Sequence, residues 1–154
     1  MTADTYVLQT VAEQDIRAAY AIHKAAVTNH WSYSTFADCV SQPYTLLVSK
    51  SEIQVIGYAI ILTVADEATL MDIALVPEMR GHGRGKILLH AVTDHCEKNG
   101  ASSIWLEVRA SNHVAQNLYH SFSFQTVEVR KNYYITGATK EDAVIMQRIL
   151  KDTK

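Results

Sequence analysis

The segment Arg80-Gly81-His82-Gly83-Arg84-Gly85-Lys86 is where residue types and spacing first suggest chemistry. Small residues let a ligand approach the backbone, and N–H groups opening a helix face outward, where the helix dipole concentrates about half a positive charge. Such a turn suits a pyrophosphate, and Arg80, Arg84 and Lys86 add cations to it. It is not a Walker loop, because Gly81 and Gly85 stand one residue too close and Ile87 occupies the place of the required hydroxyl. It is not a dinucleotide fingerprint either, since the spacing is G-x-G-x-G on a strand that arrives halfway along the chain. Taken alone, the segment also reads as a flexible turn with solvated basic side chains.

The remaining reactive residue types form no site by spacing. Cys39 and Cys96 are far apart, with no C-x-x-C pair for zinc or redox work. Seven histidines are present without an H-x-x-x-H or H-E-x-x-H arrangement, so each reads as a packing or surface residue and no metal is expected. Fourteen basic against sixteen acidic residues give a net charge of −2, which offers no global attraction for a nucleic acid. The opening residues lack a basic then apolar signal pattern, and the strongly apolar uncharged run over residues 53–65 is 13 residues. That is short of the roughly 20 needed to span a bilayer, so a cytoplasmic protein without a membrane association is expected. With 154 residues, 48% hydrophobic and 19% charged, one folded domain over 1–154 is expected rather than disorder.

The elements that must position the glycine turn follow from periodicity. Residues 6–11 suggest a strand, and Ile16, Ala19, Tyr20, His23, Ala26 and Val27 recur at helical spacing behind Asp15. A short helix over 34–40 precedes β-rich stretches at 44–49 and 53–65, an antiparallel hairpin. A third strand, 68–76, stops at Pro77 and feeds the glycine turn. The next helix places Ile87, Leu88, Ala91, Val92, His95 and Cys96 on one stripe and ends at Gly100. Residues 103–109 are again a strand, so residues 68–109 form a right-handed parallel β-α-β unit. Ser111 or Asn112 caps a further helix with Val114, Ala115, Leu118, Tyr119 and Phe122 inward. Strands at 124–130 and 143–147 close the chain around a long loop, 131–142. The expected fold is α/β (α+β): a mixed, mostly antiparallel sheet with a central parallel β-α-β pair and helices on both faces.

The R-x-x-G-x-G pattern from Arg80 to Gly85, set between strand and helix, resembles the acetyl-CoA-binding segment of the GCN5-related N-acetyltransferases. The resemblance extends over nearly the whole chain: Asp66-Glu67-Ala68-Thr69-Leu70, Ile73-Ala74-Leu75, Trp105-Leu106-Glu107-Val108-Arg109-Ala110-Ser111-Asn112, Leu118-Tyr119, Asn132-Tyr133-Tyr134 and Glu141-Asp142-Ala143 are similar to the RimI branch. That branch acetylates the N-terminal alanine of protein eighteen of the small ribosomal subunit. The resemblance implies acetyl-CoA contacts at Ile73, Ala74 and Leu75, at Gly81, His82, Gly83, Arg84, Gly85 and Lys86, and at Asn112. It implies Glu107 as general base and Tyr119 as general acid. The residue types suit those roles: an α-amine with pKa of about 7.7–8.0 must lose a proton before attacking a thioester, and a phenol can protonate the departing thiolate. Each also has a plainer explanation, Glu107 as a solvated strand residue, Tyr119 as a packed core tyrosine and Asn112 as an N-cap.

Two positions depart from the family pattern: Ser123 stands where a glycine usually follows the helix, and Ile135 replaces a proline after Tyr134. The expected acceptor is a ribosomal protein N-terminus, with Trp31, Tyr133 and Tyr134 flanking a small first residue and with Asp66, Glu67 and Asp72 favouring a basic peptide. A small amine or a lysine side chain is the alternative acceptor, and a non-catalytic acyl-CoA-binding module is a third reading, disfavoured by the presence of Glu107 and Tyr119.

Overall fold

Period-two stretches and helical stretches alternate along the chain as their patterns predict, and a computed structural model describes them over residues 5–81 and 83–150. The strands are β1 (Thr5–Gln9), β2 (Tyr44–Ser51), β3 (Gln54–Val64), β4 (Glu67–Leu75), β5 (Ser103–Arg109), β6 (Gln125–Thr136) and β7 (Thr139–Ile149). The helices are α1 (Glu13–Ala26), α2 (Tyr33–Ala37), α3 (Arg84–Lys98) and α4 (His113–Ser121). Among the described residues, no helix is long and apolar enough to cross a membrane.

All seven strands form one sheet in the order β1-β2-β3-β4-β5-β7-β6. Every neighbouring pair is antiparallel except β4 and β5, which the α3 crossover makes parallel. One face packs against α3 through Leu88, Leu89, Val92 and Cys96, with Ile104 and Leu106 of β5 and Tyr119 of α4 in the same core. The other face packs Ile16, Ala19 and Ile22 of α1 and Phe36 of α2 against Val48, Tyr58 and Ile60. Helices therefore cover both faces, as expected.

Three local departures from the sequence expectation have physical causes. Ile87 and Val114 are 42% and 84% exposed rather than buried, because each lies in the first turn of its helix. The loop expected at 131–142 is instead a continuation of β6 and β7, which pair from Gln125↔Gln147 to Thr136↔Thr139. Tyr133, Tyr134, Ile135 and Thr136 are strand-forming types, and the true turn is made at Gly137, whose φ is 60°. The ladder is interrupted between Arg130 and Tyr134, where Asn132 takes φ 54° and its N–H donates to Asp142 Oδ1 at 2.9 Å.

The helix exit with serine in place of glycine is formed. Ser123 has φ 68°, its N–H donates to His120 O at 3.0 Å, and Phe124 N–H donates to Tyr119 O at 3.1 Å. These two bonds make a Schellman closure, with Phe124 packed on Tyr119 at a centroid distance of 5.8 Å. The Cβ of Ser123 is strained there, so Ser123→Gly is expected to raise stability by about 0.5–1 kcal/mol in denaturant unfolding. A loss of stability would show that the serine relieves its own strain.

Candidate active site

The parallel pair holds together only from Glu67↔Ser103 to Leu70↔Leu106. Beyond that, β4 runs on to Leu75 paired only with β3, and β5 runs on to Arg109 paired with β7. A bulge begins the divergence: Ile60 pairs with Asp72 and Ile61 with Leu70, leaving Met71 as the extra residue. The two strands splay apart, and on the β5 side the backbone groups of Ile73 and Leu75, which alternate with the β3-bonded groups of Ala74, turn away from β3 and form an open edge. An amide-bearing chain such as pantetheine can pair with such an edge as an added strand would.

At the open end of that edge stands the start of α3. Gly81 and Gly83 have φ values of 81° and 80°, with no atom within 4 Å of where a Cβ would stand on either. Gly85 fits closely between Leu75 and Leu118, where a Cβ would lie 3.7 and 3.6 Å from their side chains. Arg84 is 9% exposed, and its Nε has no hydrogen-bond partner among the described residues. An open glycine cradle, free helix N–H groups and an orphaned guanidinium N–H together fit a pyrophosphate. Arg80 bends back so that its Nη2 donates to Leu75 O at 3.2 Å, tying the turn to the strand end instead of standing free as a cation. Lys86 sits in the first turn of α3, and His82 lies outside the described residues. Asn112 caps α4, its side chain accepting from Ala115 N–H at 3.1 Å, so the plain capping role is realised and its amide NH2 is the group left for a ligand.

Gly83→Val puts a branched side chain into the cradle and forces it into a left-handed backbone. Binding of acetyl-CoA is expected to weaken roughly tenfold or more by calorimetry. Unchanged affinity in a folded variant would remove the turn from the site.

On the face of α1 and α2, the sheet carries a cleft of about 510 Å³ lined by Thr69, Met71, Trp105, Glu107, Arg130, Tyr133 and Tyr134. Alternation along β5 buries Ile104, Leu106 and Val108 and turns Trp105, Glu107 and Arg109 toward this cleft. The irregularity in β6 brings Tyr133 over β5, where its OH donates to Glu107 Oε2 at 3.1 Å, and Arg130 lies 3.8 Å from the same oxygen. The Tyr133 phenol is pushed up by that bond and by the charge of Glu107. Tyr134 is pushed up to about 12, by burial first and then by Glu107, and Arg109 stacks on its ring at 4.3 Å. Arg109 also pairs with Glu141 at 3.3 Å, and Glu141 accepts from Ser111 N–H at 2.6 Å, which holds its carboxyl below the ordinary range. This pair fastens β7 to the junction of β5 and α4.

Tyr119 is 7% exposed and projects from α4 into the core. Burial, then the charge of Asp72, then Tyr134, push its phenol up to about 12, so it stays protonated across neutral pH. Trp31, expected beside the acceptor, packs on His23 at 5.1 Å instead of lining the cleft. Of the three carboxylates expected to attract a basic peptide, Asp66 accepts from Ser102 Oγ at 2.8 Å and Asp72 is bonded inward to His23 and Tyr58. Glu67 remains exposed at the start of β4. Spacing gives no signal for Arg130, because only the β6 irregularity brings it to Glu107.

Comparisons with known proteins bear on the family and the fold. The profile of the acetyltransferase (GNAT) family matches residues 10–124. The chain is 39% identical over 139 residues to the [ribosomal protein bS18]-alanine N-acetyltransferase of Escherichia coli K12, covering 90% of this chain and 94% of that protein. It is 38% identical over 140 residues to the protein of that name from Haemophilus ducreyi, covering 90% and 97%. The crystal structure of the E. coli ribosomal-protein-S18-alanine N-acetyltransferase superposes with a TM-score of 0.90 at 36% identity, over 98% of this chain and 97% of that one. Arabidopsis thaliana NAA60 in complex with acetyl-CoA shares the fold, with a TM-score of 0.84 at 16% identity over 96% and 99%.

Proposed function

Because the chain belongs to the acetyltransferase (GNAT) family, we propose that it moves the acetyl group of acetyl-CoA to the α-amine of the N-terminal alanine of a small-subunit ribosomal protein. The observation that carries this is the 39% identity to an enzyme of that name over 90% of the chain, a span that includes cradle, splayed strands and cleft. A ribosomal acceptor sets the reaction in the cytoplasm.

The chemistry is a direct transfer. The acceptor nitrogen attacks the thioester carbonyl, the N–C bond forms and the C–S bond breaks. Glu107, whose carboxylate faces the cleft, takes the proton from the amine directly or through water. Tyr119 supplies a proton to the departing thiolate, a role that suits a phenol kept neutral by burial. The backbone N–H groups of Ile73 and Leu75, at the free edge on either side of Ala74, polarise the thioester oxygen in this reading. Tyr133 and Tyr134 narrow the cleft in a way that suits a small first side chain.

The test is acetyl-CoA consumption against Ala-starting, Lys-containing and bulky-starting peptides and free polyamines. The expected result is a preference for the Ala-starting basic peptide. A free polyamine outcompeting every peptide would leave the family standing and remove the ribosomal substrate.

A further inference from the structure

Asp72 and His23 are ionisable groups under α1 and α2 that the mechanism above does not use. Asp72 Oδ2 accepts from Tyr58 OH at 2.6 Å and from His23 Nδ1 at 2.6 Å. His23 is 1% exposed, and its Nε2 accepts from Trp31 N–H at 3.0 Å. That bond fixes the tautomer: Nδ1 carries the proton and donates to Asp72. Both bonds to the carboxylate fall on Oδ2, and the Asp72 side chain keeps 15% of its surface accessible. A carboxylate held so firmly on one oxygen presents the other in a fixed direction.

Its place in the sheet gives that direction a use. Asp72 follows the bulged Met71, which lines the cleft, and precedes Ile73, which begins the free cofactor edge. Asp72 pairs with Ile60, whose side chain lies in the core under α1 and α2, so it shares the sheet face that carries Glu107. Its charge also reaches Tyr119. An acceptor amine arriving between the cleft and the thioester meets this carboxylate while still protonated, because an α-amine has a pKa of about 7.7–8.0.

We propose that Asp72, held by His23 and Tyr58, is the group that binds the α-ammonium of the acceptor through Oδ1, orienting it before Glu107 removes the proton. This rests on the acetyl-transfer reading and assigns Asp72 to binding and Glu107 to proton removal. The titratable groups facing Asp72 are His23 on α1, Cys39 on the turn after α2, Tyr58 on β3 and Tyr119 on α4.

The probe is an Ala-starting basic peptide and its desamino counterpart, which begins with a propionyl group and carries no α-amine. With acetyl-CoA replaced by CoA, wild type at about pH 6.5 is expected to bind the amine peptide tenfold or more tighter than the desamino peptide, the range of a charge-assisted hydrogen bond. The preference should fade above about pH 9 as the amine loses its charge. In Asp72→Asn it should collapse to under twofold while CoA affinity is kept, a change that a merely structural role would not produce. In Glu107→Gln the preference should persist. A preference lost in Glu107→Gln would overturn the proposal whether or not Asp72→Asn folds, and so would one kept in a folded Asp72→Asn. If wild type acetylates no N-terminal peptide at all, the failure belongs to the proposed function and not to Asp72.

Discussion

Replacing Tyr119 by phenylalanine is expected to lower kcat by roughly 10²–10⁴-fold while leaving acetyl-CoA affinity within about twofold. The substitution removes one hydroxyl and keeps the ring that packs on Phe124 and closes the end of α4. Loss of stability should therefore be small, and loss of rate should report the proton. Burial and Asp72 hold the phenol up to about 12, so it remains neutral and able to donate at every pH where the protein is assayed. The deficit of the variant should accordingly be flat from about pH 6 to about pH 10. A wild-type rate in Tyr119→Phe, under conditions where chemistry limits turnover, would return Tyr119 to the core and leave the thiolate to depart without it.

Replacing Glu107 by glutamine is expected to cost a similar roughly 10²–10⁴-fold in kcat, with a different dependence on pH. Glutamine keeps the size of the side chain and can still accept from Tyr133 OH, but it cannot take a proton. Near neutral pH most of the acceptor amine is protonated, so a base is needed in each turnover. Above about pH 9 the amine is already neutral in solution, and the deficit should shrink severalfold. Single-turnover rates of the two variants across pH separate base from acid. A flat deficit for Glu107→Gln would make the carboxylate an electrostatic element instead of a base.

What the sequence disclosed and what it concealed follow from the range of the forces involved. β5 is legible to the residue because its alternation is clean, with Ile104, Leu106 and Val108 inward and Trp105, Glu107 and Arg109 outward. The α3 helix is legible from its apolar stripe and the stop at Gly100, and α4 from the cap at Asn112. Other features depend on partners distant in the chain. Met71 becomes a bulge only because β3 and β4 shift register, and that shift helps open the sheet. Tyr133 reaches Glu107, 26 positions away, only because β6 slips against β7 around Asn132. His23, read as a packing residue from its apolar helix face, is packed as expected, and only the fold shows that its ring clasps a carboxylate 49 positions away. The residues at 131–142 misled because Lys131 and Asn132 look like a loop opening, whereas the tyrosines after them carry the strand on.

The most direct measurement is mass spectrometry of an unmodified small ribosomal subunit incubated with this protein and acetyl-CoA, reading which atom of which protein gains the acetyl group. The expected result is a single acetyl group on the α-amine of one Ala-starting protein, with its lysines unmodified and with no transfer by Glu107→Gln in the same time. Acetyl groups found mainly on lysine ε-amines, or spread over many proteins without regard to their first residue, would contradict it.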